Sequence, residues 1–333
     1  MNNKNIEWYF AVLNNENSDR YEEIVKHGGH IIEIYRDKNP LKYAKKVKKM
    51  FENYKFDIVH CNVANIGFFF LYYAKKSKVK VRILHSHGTV SGEIFSHRVR
   101  NDLIIPFTRH YANVYFACSK AAGKAMFKRP FYVVNNGIEY NRFMFDKNIR
   151  KKMRKELGLE EKIIIGNVGR LSHQKNQRFL IKCFQLASKK NDKLVLLLFG
   201  DGVLKDEYID LIKELHLEEK VFLMGSQNNM NEYYNVFDLF VLPSNFEGLP
   251  VVGIEAQVNG LKCLFSDKIT TETDITNVSE FLPINSQEAL DLWAEKLAHS
   301  CIRKDFVKST NQFEIIECAK NLSNKYFELI KRY

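Results

Sequence analysis

Leu239-Phe240-Val241-Leu242-Pro243-Ser244-Asn245-Phe246-Glu247-Gly248-Leu249-Pro250-Val251-Val252-Gly253-Ile254-Glu255-Ala256 is the stretch whose reading decides the fold. It opens with four consecutive apolar residues. A short run apolar at every position suits a strand covered on both faces, as in a parallel sheet between layers of helices. The turn at 243–248 leads into a predicted helix. Pro250 suits its first position, where a missing N–H costs nothing, and Gly260 suits the residue past its end. A helix starting at a strand end offers unpaired N–H groups and partial positive charge, a natural seat for a diphosphate. Gly248 lacks a Cβ, so an anion can approach its backbone. Glu247 and Glu255 bracket this seat. Taken singly, each also reads as an ordinary acid, one a helix-dipole partner and one on a solvated face.

Upstream, Gly166-Asn167-Val168-Gly169-Arg170-Leu171-Ser172-His173-Gln174-Lys175-Asn176 repeats the arrangement of an apolar run, a turn and a helix. Arg170 and Lys175 fall in the turn. A guanidinium grips phosphate oxygens with paired hydrogen bonds and an ammonium adds a point charge, so the two suit a leaving diphosphate. Phe199-Gly200-Asp201-Gly202 reads equally as a ligand contact or as a tight turn. Gln227, in Gly225-Ser226-Gln227, is a candidate for meeting a base. In the first half, His85 and His87 close the run Val81-Arg82-Ile83-Leu84-His85-Ser86-His87, and His60 closes Asp57-Ile58-Val59-His60. Such histidines can bond a sugar hydroxyl or a diphosphate, or be structural. No third ligand accompanies them, which argues against metal.

The same alternation runs through all 333 residues. Strands are predicted at 8–13, 31–35, 58–60, 81–85, 114–117, 132–134, 163–168, 194–199, 221–224, 239–242 and 262–265. Helices are predicted between them, among others at 41–53, 176–190, 205–215 and 230–236. This is an α/β chain of doubly wound parallel sheets. Its length suits two domains, and a turn at Asn135-Asn136-Gly137 followed by a polar stretch sets the boundary. The division is 1–145, 146–311 and a closing helix at 312–333.

Composition is globular, with 45% hydrophobic and 27% charged residues, which excludes disordered and low-complexity classes. The longest apolar run, 66–74, is too short to span a bilayer. Met1–Lys4 is polar with no apolar run after it, so no secretory signal is expected. Six scattered Cys fit reduced thiols. The net charge of +12 is one-sided. Residues 1–150 carry 26 Lys+Arg against 13 Asp+Glu, and the remainder is nearly neutral. Two clusters stand out: Lys42, Lys45, Lys46, Lys48 and Lys49, and Lys75, Lys76, Lys78, Lys80 and Arg82. They suit an anionic membrane surface or a solvated helix face. No nucleic-acid-binding motif appears, so no nucleic-acid partner is expected. Asp-x-Asp, G-x-x-x-x-G-K-[ST], G-x-G-x-x-G and G-x-S-x-G are all absent, which argues against nucleotide-metal carboxylate pairs, ATPases, dehydrogenases and serine hydrolases.

Taken together, Glu247-x7-Glu255 within Pro-Ser-x-x-Glu-Gly-Leu-Pro, Gly169-Arg170-x4-Lys175-Asn176, Asn136-Gly137-Ile138-Glu139 and Tyr115-Phe116-Ala117-Cys118-Ser119 resemble glycosyltransferases of family 4, with the GT-B fold, of the bacterial capsular and exopolysaccharide type. The resemblance implies two Rossmann-like domains facing a cleft. It implies a retaining sugar transfer from a nucleotide-diphosphate donor, UDP-linked, to a lipid-linked saccharide, without cofactor or metal. Arg170, Lys175 and the 248–251 backbone (Gly248, Leu249, Pro250, Val251) would hold the diphosphate, and Glu255 the ribose. Glu247 would meet the transferred sugar, with His87 or His85 near it. It further implies a cytoplasmic protein peripheral to the inner face of the cell membrane, with other polysaccharide-synthesis proteins as partners. Members of that family carry a strand, a Gly-Gly loop and a helix before a segment like 8–13. No counterpart stands in this sequence, which implies a first lobe without its central strand. A nucleotide-sugar-binding partner subunit and a GT-B-type sugar-nucleotide epimerase are the alternative readings.

Overall fold

The computed structural model describes residues 6–13, 19–90, 95–303 and 309–333. The second lobe holds β7 (Ile163–Val168), β8 (Leu194–Phe199), β9 (Val221–Gly225), β10 (Leu239–Leu242), β11 (Cys263–Ser266) and β12 (Glu280–Leu282). They form one parallel sheet in the order β12-β11-β10-β7-β8-β9. Successive residues of β7 and β8 go to opposite faces, as the strand period demands. Ile163, Ile165, Leu194, Leu196 and Leu198 pack on helices Gln177–Lys190, Lys205–Glu214 and Gln287–Ala298. Ile164, Val195, Leu197 and Phe199 pack beneath helices Lys147–Glu156 and Met230–Val236.

The stretch after Gly137 is less open than its polarity suggests. Asp146 caps helix Lys147–Glu156 by accepting from the Asn148 and Ile149 amides. The helix is then held by charge. Arg150 and Arg154 both donate to the fully buried Asp238 carboxylate, which also accepts from the amides of Ile164 and Arg303. A buried carboxylate with four such donors is satisfied, whereas one left without them is costly.

The first lobe carries two separate sheets. Among the described residues β1 (Tyr9–Val12) pairs only with β2 (His30–Glu33), and β3 (Ile58–Cys61), β4 (Val81–Ser86), β5 (Val114–Ala117) and β6 (Tyr132–Val133) form a separate sheet. All pairings are parallel. The last helix, Ile315–Arg332, lies on this lobe. Tyr326 and Leu329 join the core of Val81, Ile83, Val114 and Phe116, and the Ile138 amide donates to Phe313 O at 2.7 Å. Arg82 does not belong to a surface cluster: it donates to the carbonyls of Tyr111 and Val79.

Candidate functional site

In the second sheet the chain runs from β7 outward to β8 and β9, then returns to the other side of β7 with β10 and β11. Between β7 and β10 the winding reverses, and the loops leaving their C-terminal ends part to make a crevice, the usual ligand position in such sheets. The two loops there are those of the two sequence motifs. They are laced together: the Asn245 amide donates to Gln174 O at 2.8 Å, Asn245 Nδ2 to His173 O at 2.6 Å, and Asn176 Nδ2 to Pro243 O at 3.1 Å. Asn176 takes a left-handed conformation, φ 57°, as the loop turns into helix Gln177–Lys190.

At the junction, Lys175 Nζ donates to Glu247 Oε1 at 2.7 Å. Ser244 Oγ reaches the same oxygen at 2.8 Å, and Gln174 Nε2 reaches Oε2 at 3.2 Å. Glu247 is thus a buried carboxylate held by one cation and two neutral donors. Ser244 reaches it from within the same turn, three residues back, whereas Gln174, of which spacing gave no sign, meets Glu247 only because β7 and β10 are adjacent. The Lys175 stem lies over Gly169, where an added Cβ would stand 2.9 Å from it. Arg170 is exposed one residue further on. The 200–202 turn underpins this loop: Leu171 N donates to Asp201 O, and a Cβ on Gly200, at φ 123°, would strike Gly169 O at 2.3 Å.

The helix after the second loop is Val251–Val258. Pro250 is its N-cap rather than its first residue and has no N–H, so the amides this turn carries are those of Gly248, Leu249 and Val251. Gly248 also carries a contact between the lobes. A Cβ would lie 2.2 Å from His87 O, so the small residue lets the first lobe touch this loop. Ser119 Oγ donates to Gly248 O at 2.7 Å and Thr89 Oγ1 to Glu247 O at 3.1 Å across the same contact. Glu255, one turn into the helix, accepts from Tyr234 OH at 2.7 Å. Burial raises its pKa, and the Tyr234 hydrogen bond works against that shift.

The first-lobe histidines separate. His85 is buried, shares a 2.9 Å hydrogen bond with His60, and has its pKa pushed down to about 2 by burial, with His87 and His60 adding to it. His60 also bonds Tyr326 OH. His85 therefore belongs to the lobe interior. His87 is exposed, holds Asn62 Oδ1 at 2.9 Å, and places its own carbonyl against Gly248. Gln227 Nε2 donates to Met224 O, which keeps its amide at the end of β9.

Residues 149–296 match the family profile described as glycosyl transferases group 1. Over 327 residues the chain is 29% identical to EpsF of Bacillus subtilis, which is named as a glycosyltransferase, covering 93% of this chain and 85% of that one. Its backbone superposes on HepE of Anabaena, solved in complex with UDP, with a TM-score of 0.77 at 17% identity, covering 96% of this chain and 92% of that one. The chain has the GT-B fold, and its second lobe is a glycosyl transferases group 1 domain. A further relative is the Campylobacter jejuni enzyme named N-acetylgalactosamine-N,N'-diacetylbacillosaminyl-diphospho-undecaprenol 4-alpha-N-acetylgalactosaminyltransferase. It is 39% identical over 134 residues, which cover 40% of this chain and 36% of the relative.

Proposed function

We propose that this glycosyltransferase, of the family 4 type, moves a sugar from a UDP-linked donor to a saccharide carried on a lipid diphosphate, in capsule or exopolysaccharide synthesis, with retention at the anomeric carbon. The observation that carries the reading is the Lys175–Glu247 pair at the winding reversal, next to the start of helix Val251–Val258. When the bond between anomeric carbon and diphosphate breaks, negative charge grows on the leaving oxygens. Lys175, Arg170 and the amides of Gly248, Leu249 and Val251 meet that charge, so no metal ion is called upon. Glu247 lends its carboxylate to the sugar hydroxyls, and Glu255 holds the ribose. His87 sits on the opposite wall, near the sugar, where lobe contact fixes its backbone. A leaving phosphate oxygen takes the acceptor proton on the same face, and the protein mainly aligns the partners. UDP in the HepE crystals and the diphospho-undecaprenol in the name of the Campylobacter relative support the choice of donor and acceptor.

The protein would work at the inner face of the cell membrane. Among the described residues no helix is long and apolar enough to cross a bilayer. Lys42, Lys45 and Lys49 are exposed on helix Pro40–Asn53, while Lys46 and Lys48 engage Asp37 and Glu52. Helix Phe95–Tyr111 adds an exposed apolar stripe, Val99, Leu103 and Phe107, with Leu103 68% and Phe107 62% exposed. A cavity of about 570 Å³, lined by Arg36, Lys38, Phe69, Arg100 and Ile104, lies between these helices. Cations beside apolar side chains suit an anionic leaflet.

Isothermal titration with UDP tests the donor reading. Micromolar binding that disappears in Lys175→Met is expected, and a folded protein that takes up no UDP would refute it. Flotation with anionic vesicles tests the membrane face: replacing Lys42, Lys45 and Lys49 by Gln and Leu103 and Phe107 by Ser should release the protein without changing UDP affinity.

A further inference from the structure

Asn62 and His87 directly follow β3 and β4, which pair in parallel with Cys61 opposite Leu84. Asn62 Oδ1 lies 2.9 Å from His87 Nε2. A carboxamide oxygen has no hydrogen to give, so the hydrogen between them is carried by Nε2. The surrounding protein displaces enough water to hold the His87 pKa below its usual value, so at neutral pH the ring carries one hydrogen only. Nδ1 is then bare, and among the described residues no donor meets it. The backbone is clamped at both ends of this contact. Cys61 Sγ donates to Val63 O at 3.3 Å around Asn62, and Ser86 Oγ donates to Gly88 O at 3.2 Å around His87. The His87 ring lies against the His85 ring, with centroids 4.0 Å apart and planes tilted by 31°. His85 is itself immobilised: its Nδ1 bonds His60 Nε2, and His60 Nδ1 bonds Tyr326 OH. If the phenol donates, one group of this buried chain is left over, the His85 Nε2–H. If the phenol accepts, two are left over, its own hydrogen and the His85 Nε2 lone pair. The first arrangement leaves fewer buried polar groups unpaired, so the hydrogen stands on Nε2 in all three rings.

We propose that Asn62 is a positioning residue for sugar transfer: its carboxamide holds the His87 imidazole in one orientation with hydrogen on Nε2, which leaves Nδ1 bare as an acceptor for a hydroxyl of the transferred sugar. This rests on the reading above, in which His87 stands near that sugar. The tautomer decides between the two contacts open to a histidine here. Phosphate oxygens of a nucleotide sugar have no hydrogen to donate, so a bare nitrogen turns them away, whereas a sugar hydroxyl donates to it. In that reading the diphosphate is left to Lys175, Arg170 and the loop amides. Stacking on His85 does not secure this by itself, because a ring turned over about χ2 keeps the same plane and presents a carbon where Nδ1 stood. Asn62 opposes that turn, since it would set Cε1 instead of Nε2–H against Oδ1. The charged and titratable neighbours leave His87 to titrate on its own. His85 and, behind it, His60 are kept neutral by burial, and across the lobe contact Lys175 and Glu247 neutralise each other.

Nitrogen NMR on the full chain, isotopically labelled at histidine, tests the proposal, with His87 assigned by the signals lost in His87→Gln. The parent at pH 7 should show His87 with hydrogen on Nε2 and Nδ1 bare. Asn62→Leu, a change at an exposed position, should give a mixture of tautomers. Asn62→Asp should keep the hydrogen on Nε2 and raise the His87 pKa by about one pH unit, as a carboxylate beside an imidazole does. Binding is then measured for UDP and for UDP-glucose, UDP-galactose, UDP-N-acetylglucosamine and UDP-N-acetylgalactosamine. Asn62→Leu should leave UDP affinity unchanged and weaken the tightest of the UDP-sugars by about tenfold, as for one lost hydrogen bond. Asn62→Asp should bind that UDP-sugar as the parent does at pH 8 and lose it as pH falls through the raised His87 pKa, because the added proton occupies Nδ1. Hydrogen on Nδ1 in the parent, an unchanged tautomer in Asn62→Leu, or equal losses for UDP and the UDP-sugar overturns the proposal. So does a panel in which no UDP-sugar distinguishes Asn62→Leu from the parent. The tautomer is read on the free protein, so failure here and failure of the donor site are distinguishable: a protein that binds no UDP refutes the donor reading instead.

Discussion

Lys175 Nζ and Glu247 Oε1, 2.7 Å apart, join the loops that leave β7 and β10, and both side chains are nearly sealed from water. Removing one partner of such a pair strands the other as a buried charge, which typically costs about 3–5 kcal/mol, whereas removing both costs far less. Lys175→Met should therefore unfold at markedly lower denaturant than the parent, and Lys175→Met with Glu247→Gln should recover much of the loss. Chemical denaturation of the parent, Lys175→Met, Glu247→Gln and the double variant checks this. Additive losses would mean that the pair is not coupled. Transfer should fall by roughly 100-fold or more in every variant lacking Lys175, whatever its stability, as expected when a cation facing the leaving charge is lost.

Glu255 trades stability for binding. Burial raises its folded pKa above the unfolded value, so the folded state prefers the proton and stability increases as pH falls through the folded value. At neutral pH the ionised group is a liability. Glu255→Gln, which still accepts from Tyr234, should raise the melting temperature at pH 7 and weaken UDP binding by about tenfold, a loss of ~1.4 kcal/mol. Unchanged UDP affinity in a protein that still binds would remove Glu255 from the ribose.

Gly248→Ala tests the lobe contact. Its Cβ would sit 2.2 Å from a backbone carbonyl that cannot swing aside, so the lobes must part. Overpacking of this kind costs about 1–3 kcal/mol. Small-angle scattering should show a larger radius of gyration and assays a lower transfer rate, with isolated UDP binding retained. A particle of unchanged size would refute the assigned role.

Acid should loosen the first lobe. Burial lowers His60 to about 4 and His85 to about 2, below the usual ~6.5 of an exposed histidine. Both therefore contribute stability that is complete above pH ~6.5 and is lost as pH falls from there toward the folded values, at most ~1.4 kcal/mol per pH unit for each. Moving from pH 7 to pH 5 should lower the denaturation midpoint, and His85→Gln should show a smaller drop. Equal drops would mean that His85 does not carry the effect.

What the sequence disclosed follows from what each element relies on. β8 and β10 are apolar throughout and β7 at all but Asn167, and their observed bounds equal those read from the sequence. Helix Lys147–Glu156 was passed over because its anchorage is ionic: Arg150 and Arg154 are drawn to Asp238, which lies over 80 residues away. β12, with Glu280 and only three residues, carries too little pattern to find. The splitting of the first sheet is a matter of which edges pair, and strand composition does not encode that. At the site, the Lys175 and Glu247 loops were visible as motifs, but Gln174 as a partner of Glu247 was not, since that contact exists only once β7 and β10 lie side by side, and Tyr234 as the partner of Glu255 appears only when two helices pack together. Gly248 was noticed for its missing Cβ, but the His87 carbonyl that lies beside it comes from the other lobe and has no sign in the sequence.

Tyr326 and Leu329 complete the core beneath β4 and β5, although more than 200 residues of chain separate them. During synthesis the opening third emerges long before its own lid does, and the whole second lobe must be made in between. The amino-terminal sheet therefore spends that interval with Val81, Ile83 and Phe116 uncovered, a window in which apolar surface invites chaperones or misassociation. Losing even the last twenty codons would not trim a tail; it would leave the beginning of the protein without a finished interior.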